Sequence, residues 1–86
     1  MKLPLIKHIN QFIAEHDVDY IVEAVEVLEN LTESDSIKEE ELDVIGELIS
    51  NLYGAMEVQK LMKEEGHSEK QALNLFMKRV MGSIDK

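Results

Sequence analysis

The chain has 86 residues, nine lysine or arginine against eighteen aspartate or glutamate, a net charge of −9 and no cysteine. That length gives one domain, residues 1–86, with a thin core. The missing cysteines exclude disulfide staples, thiolate zinc sites and thiol redox chemistry carried by this chain. No apolar run approaches the roughly 20 residues that span a bilayer, and "MKLPLIKHIN" lacks the apolar stretch of a secretory signal, so the expected setting is cytoplasmic, with no membrane partner.

The periodicity predicts four helices and no strand. The first covers about residues 4–15, with Pro4 in the turn where a missing N–H costs nothing. Leu5, Ile6, Ile9, Phe12 and Ile13 recur at three- and four-residue spacing as one apolar stripe.

The second helix is expected over 18–32, capped by Asp17 or Asp19. Ile21, Ala24, Val25, Leu28 and Leu31 form its buried stripe, and Glu23, Glu26, Glu29 and Glu33 its outer side. Its valines are mediocre helix formers, so it depends on tertiary packing.

"TESDS" is then a linker. Ser36 followed three residues later by Glu39 predicts a capping box at the start of a long third helix, Ile37 to Glu65. Glu39, Glu40 and Glu41 fall where the helix dipole favours negative charge. With Leu42 at 0° and ~100° per residue, the large apolar side chains of this helix fill an arc of roughly 180° centred near 290°. Gly46, Ser50 and Gly54 form a small-residue ridge off that arc. Three accounts fit the glycines: a close helix crossing, a kink or break near Gly54, or no role at all. No polar N-cap follows Gly54, so one continuous helix is expected, with Gly54 exposed. Gly66 suits the left-handed position after its end. Ser68 and Gln71 predict a second capping box, opening a fourth helix over 69–82 with Ala72, Leu73, Phe76, Met77, Val80 and Met81 on its apolar face. Gly82 and Ser83 should loosen its end and Ile84 tuck back.

Charge is segregated. Residues 15–47 hold thirteen acids and one base, Lys38, whereas 48–86 hold five acids and six bases. The acidic middle repels phosphate backbones, so nucleic acid is not an expected partner. It reads either as a solvated surface that keeps the protein soluble or as an acidic docking face for a basic protein partner.

Motifs for chemistry are absent: no GxSxG, P-loop, HExxH or GxGxxG occurs. His8 and His16 lie two helical turns apart, too far to share an ion. Glu64 and His67 have the spacing of a carboxylate-bridged di-iron motif, but in one copy where two are needed. No metal, no cofactor and no enzymatic activity are expected. Met56, Met62, Met77 and Met81 read as core filling.

"LENLTESDSIKEEEL" resembles the prosthetic-group attachment segment of acyl carrier proteins, with Asp35, Ser36 and Ile37 matching its triplet and Glu41 and Leu42 its later pair, while Glu33 and Glu40 depart from its pattern. The resemblance implies an alternative: a carrier-like domain bearing 4′-phosphopantetheine on Ser36. More widely, "EELDVIGELISNLYGAMEV" and "FMKRVMGSIDK" are similar to a family of short bacterial all-helical proteins of unknown function, which implies no activity or ligand.

A third helix of about 29 residues would be roughly 43 Å long, against a diameter near 31 Å for a compact chain of this size. An apolar overhang of this kind is a binding surface. The expectation is an all-α, four-helix, self-associating interaction module: a homodimer built on Ile45, Ile49, Leu52, Tyr53 and Met56, with Lys60, Lys63, Lys78 or Arg79 laid against the partner's acidic segment.

Overall fold

The computed structural model describes residues 2–84, with the side chains of 81–84 excepted. It has four helices: α1 (Leu3–Glu15), α2 (Asp19–Leu31), α3 (Glu39–Glu64) and α4 (Glu69–Ile84). No strand occurs among the described residues. α4 continues through Gly82 and Ser83 to Ile84; the expected placements of the Met81 and Ile84 side chains lie outside the described residues.

Local chemistry explains most of the boundaries. Val18, not Asp17 or Asp19, holds the N-cap position of α2, and Asp17 one residue earlier accepts the Asp19 N–H on its side chain at 2.9 Å. The Ser68 hydroxyl accepts the Gln71 N–H at 3.2 Å and the Gln71 side chain accepts the Ser68 N–H at 3.0 Å, the full capping box expected at α4. Gly66 has φ +72°, a left-handed conformation that a side chain would strain, and the chain beyond it turns back so that the His67 N–H meets the Leu61 carbonyl at 3.4 Å.

The start of α3 departs from expectation. Ser36 does not cap it; its own N–H is held by the Ser34 hydroxyl at 3.1 Å in an exposed turn. The N-cap position belongs to Lys38, whose N–H donates to the Glu41 side chain at 2.8 Å. Lysine has no acceptor with which to return that bond, so half a capping box forms, two residues later than the sequence suggests.

α3 runs unbroken through Gly46 and Gly54 for 26 residues. At 1.5 Å per residue that is about 39 Å. The other helices pack chiefly on α3 and scarcely on one another. The core joins Ile6 and Ile13 of α1, Ile21 of α2, Ala55, Val58 and Leu61 of α3, and Ala72, Leu73 and Phe76 of α4. α3 gives this core only its second half, where Asn51, Gly54, Ala55, Val58, Gln59 and Leu61 are its buried residues. On the same angular scale those residues centre near 175° rather than 290°. Gly54 is therefore buried, not exposed as expected. Small side chains at 54 and 55 suit a close approach of the neighbouring helices, while of the larger apolar arc Leu52 and Met56 reach the core only at its edge.

α1 runs alongside this second half in the same direction. Its N-cap Lys2 lies against Asn51 and Glu47, and its Ala14 lines one hollow with Met62 and Lys63. The molecule measures 43 × 36 × 19 Å, about two helices thick, with a radius of gyration of 13.9 Å. A compact chain of this length would have about 12 Å. The excess reflects the first half of α3, which extends beyond the core.

Candidate interaction surfaces

From Glu26 to Ser50 no residue is fully buried. This stretch comprises the end of α2, the turn and the first three turns of α3, and we refer to it as the arm. Its apolar side chains are numerous: Val27 (59%), Leu31 (41%), Leu42 (37%), Val44 (57%) and Leu48 (42%) are exposed, and Leu28, Ile37, Ile45 and Ile49 are half-buried. It also carries nine acids against one base. Exposed apolar residues gathered in one segment differ from the single ones scattered over any surface, because together they can be covered by one partner.

The five residues expected at a dimer interface divide. Leu52 and Met56 pack against the chain's own core. The Tyr53 hydroxyl donates to the Glu29 carboxylate at 3.2 Å, which places α2 on this side of α3. Ile45 and Ile49 are half-buried on the same side. Val44 and Leu48, not singled out in the sequence, are more exposed than either isoleucine and fall at about 200° and 240°. Arg79 is engaged with Glu57 of its own chain, linking α3 to α4.

Tyr53 is 48% exposed, and its phenol is raised above its ordinary value of 10.0, first by partial desolvation and then by the charge and hydrogen bond of Glu29.

A second surface lies between α1 and the second half of α3. Two neighbouring hollows of about 610 and 440 Å³ share Ala14, Gln59 and Met62 and so form one groove. All three histidines line it: His8 in the first hollow, His16 and His67 in the second. Lys7 and Lys63 stand along it, with Asp17 and Glu69 as its acids. Asn10, 2% exposed, lines the first hollow, and neither polar atom of that carboxamide has a partner among the described residues. His16 also stacks with Phe12 and Tyr20, at centroid distances of 4.4 and 5.8 Å, and so clamps the α1–α2 corner. His67 lies 3.5 Å from Glu65.

Among the described residues no cluster of three or more histidine, cysteine or acidic side chains could hold a metal ion. None of their helices is long and apolar enough to cross a membrane.

A family model described as a family of unknown function (DUF6952) matches residues 1–85, so the chain belongs to that family. No curated protein and no solved structure matches it. Neither the family nor the position of Ser36, exposed two residues before the N-cap of α3, supports the acyl-carrier alternative.

Proposed function

We propose that this protein is a cytoplasmic, non-catalytic interaction module that self-associates as a two-fold homodimer, each arm docking on a second copy. The observation that carries the reading is the stretch from Glu26 to Ser50, which holds nine large apolar side chains without burying one of them fully. Closed two-fold pairs are the commonest way such a surface is covered. Charge decides which parts meet. Arm against arm would oppose two segments of nine acids and one base each, a repulsive contact, so each arm is better placed on the less acidic body of its partner. Ion pairs at the rim would contribute little, about 0–1 kcal/mol each, and apolar burial most of the affinity. The same acidity sets the chemistry of any other protein that docks here: its surface would be basic.

The test is light scattering coupled to size exclusion at micromolar concentration, in low and high salt. The expected mass is twice 9.9 kDa. The double variant Val44→Ser, Leu48→Ser changes only exposed side chains and should run as a monomer with unchanged helix content. A wild-type mass near 9.9 kDa in both salts would overturn the proposal.

A further inference from the structure

We infer that the groove between α1 and the second half of α3 is the receptor for the arm of a second copy, an inference that rests on the self-association proposed above. Four observations converge on it.

The first is angular. Val44 and Leu48 of the arm, and Gln59 and Met62 of the groove wall, all fall within about 200–260° on α3. Arm and groove thus occupy opposite halves of one side of one helix. A two-fold axis crossing the middle of α3 on that side pairs two α3 helices antiparallel. It then lays the first half of each against the second half of the other, twice over.

The second is length. The helical part of the arm, residues 39–50, is about 18 Å long, and α1, which forms the other wall of the groove, has 13 residues and is about 20 Å long.

The third is charge. The arm carries nine acids and one base. The groove presents Lys7 and Lys63 against Asp17 and Glu69, a balanced set facing the strongly acidic arm, and neither lysine makes an ion pair among the described residues. Pro4, Ala14, Val18 and Met62 give it apolar lining for Val44 and Leu48.

The fourth is Asn10. A carboxamide that is 2% exposed with both polar atoms unpartnered is a buried group whose hydrogen bonds are unmade within the chain. Asn10 and Gln59 (8% exposed) both line the first hollow, so a turn of the buried Asn10 side chain on occupancy gives an incoming helix two groups that can each donate and accept. Leaving the Asn10 bonds unmade costs stability in the lone chain, and an occupant that pairs them recovers it.

A complementation experiment tests this. An arm variant (Val44→Ser, Leu48→Ser) and a groove variant (Lys7→Glu, Lys63→Glu) are each examined by light scattering, with circular dichroism to confirm that both fold. Each alone should have an apparent dissociation constant raised tenfold or more. Their equimolar mixture should recover a two-chain species, because an intact arm on one chain meets an intact groove on the other. Asn10→Leu supplies an independent readout: it should raise the melting temperature, by removing an unpaired buried amide, and weaken association. A groove variant that dimerises like wild type beside a monomeric arm variant would overturn the groove inference and leave self-association standing. Failure of the mixture to recover a two-chain species would overturn it too. A monomeric wild type would overturn both readings together.

Discussion

The side-chain oxygen of Asn51 accepts the backbone N–H of Lys2 at 2.9 Å, while its amide donates to the Glu47 carbonyl at 2.8 Å. One fully buried asparagine in the middle of α3 thus holds the N-cap residue of α1, in the place where a local cap would otherwise act. The Lys2 ammonium, 3.6 Å from Glu47, adds an exposed and therefore weak ion pair. Asn51→Ala removes both hydrogen bonds and leaves a void, at a cost of about 2–3 kcal/mol. Thermal unfolding should show a fall in melting temperature on the order of 10 °C. A change of a degree or two would mean that α1 is anchored by its apolar face alone.

The two interior glycines of α3 should respond with opposite signs. Gly46 is exposed and a methyl group there meets nothing within 4 Å, so Gly46→Ala should stabilise by about 0.5–1 kcal/mol through propensity. Gly54 is buried, and Gly54→Ala should destabilise by about 1–3 kcal/mol by overfilling the packing around it. Denaturant midpoints of the two variants decide the matter; equal gains would show that this packing has room.

The serines at the two helix starts should also separate. Ser36→Ala should change stability by less than about 0.5 kcal/mol, since that hydroxyl caps nothing. Ser68→Ala should cost about 1 kcal/mol, since its hydroxyl holds the Gln71 N–H. A Ser36 variant as unstable as the Ser68 variant would restore Ser36 as the cap of α3.

These contrasts mark what the sequence could convey. Helix number, the cap at Ser68 and Gln71, the Gly66 turn and the continuity of α3 depend on residues within a few positions of one another, and each was legible. The start of α3 was misread because Ser36 and Glu39 have capping-box spacing, yet the Ser34 hydroxyl holds the Ser36 N–H and moves the helix start two residues on. The packing face of α3 was misread for a different reason. Hydropathy weighs large side chains, but this helix buries Asn51, whose value lies in hydrogen bonding, Gly54 and Ala55, which allow close approach, and the polar Gln59. The acidity of the arm could be counted directly. That Val44 and Leu48 are more exposed than Ile45 and Ile49 depends on where α2 lies, which no spacing within α3 reveals.

Tyr53 gives a pH dependence. Its phenol is raised above 10.0, by partial desolvation first and then by Glu29. The folded chain therefore holds this proton more tightly than the unfolded chain. The associated stability is fully present below pH 10 and is lost as the pH rises through the raised folded value. Glu29→Gln should bring the Tyr53 transition, followed by tyrosinate absorbance, back toward the ordinary value. Tyr53→Phe should remove its share of the alkaline loss of stability. Identical titrations with and without Glu29 would show that the contact between α2 and α3 at this point is not kept in solution.

Because α1 and α2 find their packing partners on the second half of α3, and scarcely on each other, the order in which the chain is made matters. When α2 is complete it and α1 have little but the Phe12, His16 and Tyr20 corner to lean on, and α3 is not finished until Glu64 has been added. At 5–20 residues per second that wait is roughly 2–7 s. For that interval the growing chain carries two short amphipathic helices whose isolated stability is marginal. The strong negative charge that follows them, from Glu33 through Glu47, emerges during the same interval. It would keep neighbouring nascent copies apart until residues 51–61 arrive to gather the helices in.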